Sequence, residues 1–215
     1  MSKKLVNISV FIIFLFGTLS LNAQNLGNIP KTELIKLMVD SFESQICNYY
    51  SINKENSDEA FFKYVNDFNS NKINIKDLTS KEELELLKVS NETLKEYIWI
   101  TDKEKFERFI KNIEGEEQIQ ITEIKDERNS TEPLYTNKLG VNYSGEYSSK
   151  LLKETKVNDL KEVLTTLRDT PDTSPRSSAF AFTYINKENY KDSSLKTFIS
   201  FELYYTVLNT LNKNE

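Results

Sequence analysis

The sequence predicts an all-α fold, a single bundle of about seven or eight helices, and three observations carry that expectation. Apolar residues recur at helical spacing: Leu34, Met38, Phe42, Ile46 and Tyr50 stand four apart, and Ile35 and Val39 widen the stripe. Capping boxes stand ahead of two apolar runs, at Ser80-Lys81-Glu82-Glu83 and at Thr101-Asp102-Lys103-Glu104. Gly and Pro are scarce, 5 and 4 in 215 residues, too few for the many tight turns of a sandwich or barrel.

The helices can be read in order. The first carries the stripe from Leu34 to Tyr50. Ser57-Asp58-Glu59 provides a cap and first-turn acids for a second, whose face is Phe61, Tyr64, Val65 and Phe68. After Ser80 come Leu84, Leu87, Leu94 and Ile98 on one face. After Thr101 come Phe106, Phe109, Ile110 and Ile113, with Gly115 placed to close that helix. Ile119 and Ile121 alternate with polar residues, which leaves room for one short strand or hairpin near residues 119–124. Residues 126–142 are polar and hold Pro133 and Gly140, the best place for a long loop or sub-domain boundary. Helices resume at Tyr147, Leu151 and Leu152, and Asn158 is placed to cap the next, built on Leu160, Val163, Leu164 and Leu167. Ser174-Pro175 is a helix start, and it favours helix over strand for Ala179 to Tyr184. Residues 193–211 are apolar on most faces, as a helix central to its bundle must be.

Residues 1–23 read as a cleavable secretory signal peptide. Lys3 and Lys4 form a cationic start, an apolar run extends from Leu5 to Leu21, and Ala23 supplies the small residue at the cleavage position. The run is short for a full membrane span and is interrupted by Asn7 and Ser9. Retention as an inner-membrane anchor is the alternative, and it is the only membrane contact expected. Cleavage leaves 24–215 as one helical domain in the periplasm or outside the cell.

Composition excludes several function classes. The chain carries a formal charge of −5. The leader holds two lysines and no acid, so the mature charge is −7. Such a domain repels phosphate backbones, so nucleic-acid binding is not expected. A basic protein partner is favoured by long-range attraction that salt screens. The chain has no His. This removes Ser-His-Asp and Cys-His catalysis and the commonest transition-metal ligand. Cys47, the single Cys, lies among Phe42, Ile46 and Tyr50 and reads as a buried, inert thiol. No phosphate loop, nucleophile elbow or calcium loop is present, and no metal or cofactor is expected.

Asn22-Ala23-Gln24 at the end of the leader resembles the exported proteins of Bacteroidetes-type bacteria. The stretch from Leu160 through Ser174-Pro175 to Phe201-Glu202-Leu203-Tyr204-Tyr205 is similar to uncharacterised helical proteins exported by the same bacteria. The resemblance implies a location and a helical fold, and carries no activity.

Glu202 is the one candidate catalytic residue. It stands between Phe201 and Leu203 in the most apolar helix, where a carboxyl would have a raised pKa or pair with Arg168 or Arg176. Glu82-Glu83 and Glu116-Glu117 read as solvated helix-start and loop acids. Two function classes follow. The first is a non-catalytic interaction module, for example an inhibitor or immunity-type protein that engages a basic partner. The alternative is a carboxylate-dependent hydrolase of envelope polymers, which needs two acids facing each other across a cleft.

Overall fold

The computed structural model describes residues 29–114, 138–170 and 173–212; residues 109, 110 and 112–114 are described by their backbone alone. The leader, the strand expected near residues 119–124, and Gly115 lie outside the described residues. Eight helices and one small antiparallel sheet are found among those described, the bundle that the apolar spacing predicts.

Helix α1 spans Lys31–Tyr49 and buries Leu34, Met38, Phe42, Ile46 and Cys47, the face that the four-residue recurrence draws. Helix α2, Ser57–Asn69, packs beside it through Ala60, Phe61, Tyr64 and Val65. Ser57 is the first helical residue rather than its cap. Asn56 holds the cap position without a side-chain bond, and the Ser57 hydroxyl instead accepts from Lys196 Nζ at 2.6 Å.

Helix α3, Lys81–Thr93, starts on the complete Ser80–Glu83 box. It stops at Thr93, so Ile98 is not on its face; Leu94 and Ile98 join the core from the turns that follow. Strand β1, Trp99–Thr101, then pairs with β2, Leu139–Val141, in the register Trp99 to Val141, Ile100 to Gly140 and Thr101 to Leu139. The end of the stretch expected to be a polar loop is therefore a strand. Its partner is some forty residues away, so no local pattern announces it. Helix α4, Asp102–Glu114, begins at the Thr101–Glu104 box, in which Glu104 accepts from the Thr101 backbone N–H and the Thr101 hydroxyl accepts from Glu104 N–H. Gly140 has no Cβ, and a Cβ there would collide with the Lys105 ammonium that α4 lays across β2.

Helix α5 is Glu146–Glu154 and helix α6 is Asn158–Asp169. Asn158 does not cap α6. Val157 holds the cap position, and its N–H donates to the Thr155 hydroxyl. Helix α7, Pro175–Phe182, has Pro at its start, and the Ser174 hydroxyl accepts from Ser177 N–H. The segment favoured as helix over strand is helical through Phe182.

The last helix, α8, runs through residues 193–212. It begins with Asp192 capping Leu195 N–H and passes through a π-helical turn, Ser200–Tyr205. Within that turn the Phe201 carbonyl accepts from both the backbone N–H and the hydroxyl of Thr206, five residues on. All six residues of the turn are buried. α1, α7 and β2 pack directly on it. Phe42 of α1 stacks on Tyr204 at 4.5 Å and meets Phe61 and Tyr64 edge-on at 5.6 and 4.9 Å. One apolar cluster joins these elements into a single core. Cys47 is 4% exposed within it, and burial pushes its thiol pKa up. No helix among the described residues is long and apolar enough to cross a membrane.

Phe42 and Tyr184 separate core from surface. Phe42 is wholly buried and Tyr184 is 72% exposed. In urea unfolding, Phe42→Ala is expected to cost about 3–5 kcal/mol and Tyr184→Ala less than about 0.5 kcal/mol. Similar losses at the two positions would overturn the assignment of the core.

Candidate functional site

Glu202 is the one candidate that the sequence offers for catalysis, with exposure or structural pairing as its other reading, and the fold closes it off. The π-helical turn carries it into the core, where it is 0% exposed. The Tyr143 hydroxyl, just beyond β2, donates to its two oxygens at 3.0 and 2.9 Å. Ser178 of α7 donates to Oε1 at 2.8 Å. Lys105 of α4 lies over the Tyr143 ring, 4.7 Å from its centroid. Burial pushes the Glu202 carboxyl above the ordinary carboxylate range, against the pull of the Lys105 ammonium and the two hydroxyls. Burial and the charge of Glu202 push the Tyr143 phenol well above its usual value. Neither expected arginine reaches Glu202. Arg168 bonds Asp169 at 3.3 Å, and Arg176 donates to the Asn69 carbonyl at 3.1 Å. Both begin on helix surfaces, so the buried carboxyl is reached instead by the hydroxyls of Ser178 and Tyr143 from the packed elements. The arrangement holds a carboxyl in place within the core.

A second buried carboxyl, Glu83, corrects the expectation of a solvated acid. It is 0% exposed. Its Oε2 accepts from Ser80 N–H at 3.0 Å, closing the capping box, and from the Tyr204 hydroxyl at 2.8 Å. Burial pushes its pKa up to about 6, against the pull of the Ser80 N–H and of the Tyr204 and Ser41 hydroxyls. The box shows in the sequence, but the arrival of Tyr204 from residues far along the chain does not.

The surface places other residues together. A groove of about 350 Å³ lies between α6 and α7 and the turn that follows α7. Val163, Leu167, Ala181 and Ile185 form its apolar walls, and Asp159 and Glu162 are its charged residues. Both acids are exposed and stand three residues apart on one face of α6. Ion pairs of this part of the chain are Lys150–Glu154, Arg168–Asp169 and Lys191–Glu188, and neither acid enters one among the described residues. Tyr184 stands at the rim. Its ring meets Phe180, 54% exposed, edge-on at 5.1 Å. Two large aromatic side chains therefore stand in water beside a concave, acid-bearing surface. Sequence reasoning missed it. Phe180 and Tyr184 stand out in the sequence only as members of a segment favoured as helix over strand, and it is the packing of α6 against α7 that makes the concavity. Among the described residues no three His, Cys, Asp or Glu are grouped to hold a metal ion.

The raised Glu83 pKa has a consequence for stability. The unfolded carboxyl titrates near 4.5 and the folded one near 6. Between these values the folded state holds a proton that the unfolded state lacks, so this contribution falls as pH rises through the window. The difference in unfolding free energy, wild type minus Glu83→Gln, is expected to be larger by about 2 kcal/mol at about pH 4 than at about pH 8. A difference that does not change with pH would mean that Glu83 is solvated.

Comparison with protein-family models, with curated proteins and with solved structures found no match, so the functional reading of this chain rests on its own residues.

Proposed function

We propose that the mature chain is an exported, non-catalytic helical module that binds another protein, and that the partner is basic. One observation carries the proposal: an exposed aromatic pair, Phe180 and Tyr184, beside a groove whose charged residues are both acids. The acidic chain supplies long-range attraction for a cation-rich surface, and the aromatic pair supplies the apolar contact that holds it. An inhibitor or immunity-type protein directed against a basic toxin or enzyme is the concrete form of this reading.

The chemistry of the acids favours binding over hydrolysis. Glu83 and Glu202, the two carboxyls pushed up by burial among the described residues, are held by hydroxyls within the protein. Asp159 and Glu162 share one helix face, whereas glycoside cleavage needs two carboxyls on opposite sides of a bond.

Export rests on the leader. The intact mass of the protein from its producing cells is expected to correspond to a chain beginning at Gln24. A chain that retains residues 1–23 would replace export with anchorage.

Affinity capture tests the binding reading. Tagged residues 24–215, offered to the envelope fraction and culture fluid of the producing cell, are expected to retain one basic protein at low salt and release it at high salt. Retention that ignores salt would remove the electrostatic part of the proposal. An empty capture at both salt levels would overturn the whole.

A further inference from the structure

We propose that the groove between α6 and α7 is a receptor for a single Lys or Arg side chain on an exposed segment of the partner, an assignment that rests on the interaction reading above. A basic side chain is a long alkyl stem with a cation at its tip. It needs an apolar wall along the stem and negative charge or an aromatic face at the end. The groove offers these together. Val163, Leu167, Ala181 and Ile185 line its depth. Asp159 and Glu162, a turn apart on α6, point their charge at one volume. Tyr184 is 72% exposed at the rim, with no cation over its ring among the described residues. A cation on that face is attracted by the ring as well as by the carboxylates.

Three nearby cations are engaged elsewhere. Arg168 bonds Asp169, Arg176 reaches the Asn69 carbonyl, and Lys187 lies over the Phe62 ring at 5.8 Å. Other occupants fit less well. A wholly apolar ligand would strip water from two carboxylates and return nothing. An acidic ligand would be repelled. A bare metal ion would find two exposed acids and no third ligand grouped with them among the described residues. At about 350 Å³ the groove is near the lower end of ligand pockets, the size for one side chain rather than a folded element. The Phe180–Tyr184 pair then offers a platform for the backbone on either side of the inserted residue.

The experiment uses the mature chain, residues 24–215, which contains every described residue. Isotope-labelled protein is titrated with short Gly-Ser peptides carrying one central Arg, Lys, Leu or Glu. The Arg and Lys peptides are expected to shift the backbone amides of α6 and α7 saturably, and the Leu and Glu peptides to leave them in place. The double variant Asp159→Asn, Glu162→Gln is expected to weaken the Arg peptide about tenfold. Its melting temperature should fall by no more than a few degrees, because both side chains are exposed, neither enters an ion pair among the described residues, and the loss is limited to the first-turn charge of Asp159. Tyr184→Leu, which keeps an apolar rim without the ring, is expected to weaken it about threefold. Equal binding of the Leu and Arg peptides, shifts confined to another face, or full affinity in the double variant would each overturn the assignment. The capture experiment fails separately. A basic partner still held by the double variant would leave the interaction reading standing and remove the groove from it. An empty capture with an intact Arg-peptide site would do the reverse.

Discussion

A helical turn buried on every side must find a partner inside the protein for each polar atom it carries, and the π-helical turn of α8 imposes that condition on the rest of the fold. Its π-helical turn is wholly buried yet contains one carboxylate and two tyrosines. An unpaired polar atom at such a depth costs about 1–3 kcal/mol. The surrounding elements are placed to prevent that. Tyr204 donates to Glu83 on α3, and Tyr205 donates to the Met38 carbonyl on α1. Glu202 receives Ser178 from α7 and Tyr143 from beyond β2. The Leu203 carbonyl receives the Tyr64 hydroxyl from α2. The apolar cluster supplies the driving force for burial, and these bonds choose which helix stands where.

The same condition sorts the acids into two populations. Glu83 and Glu202 are enclosed, their charge opposed by burial and their oxygens occupied by hydroxyls. Neither is exposed. Asp159 and Glu162 are exposed on α6 and outside any ion pair among the described residues. A carboxyl in the core makes an apolar helix specific in its packing. A carboxyl on a concave surface is available to a partner. The candidate that stands out in the sequence belongs to the first population, and the groove is lined by the second.

Some of this was legible in the chain. The α1 face follows from the spacing of Leu34, Met38, Phe42 and Ile46, because a helical period is local. The boxes at Ser80 and Thr101 were readable because capping acts within one turn. Ser57 and Asn158 have the right chemistry for caps, yet Lys196 claims the first and Val157 holds the cap position ahead of the second. The strand Leu139–Val141 was read as loop because its stability comes from Trp99–Thr101 across a gap in sequence.

By itself the sequence determined the helical class, the capped starts of α3, α4 and α7, the acidic charge, and the exclusion of histidine chemistry. These depend on composition or on residues within a turn of one another. Only the tertiary structure decided that Glu202 is sealed by Tyr143 and Ser178, that Glu83 is buried under Tyr204, and that Phe180 and Tyr184 stand in water beside two acids that enter no ion pair among the described residues. Burial and concavity arise where elements distant in the chain meet, and a one-dimensional pattern carries no term for that meeting.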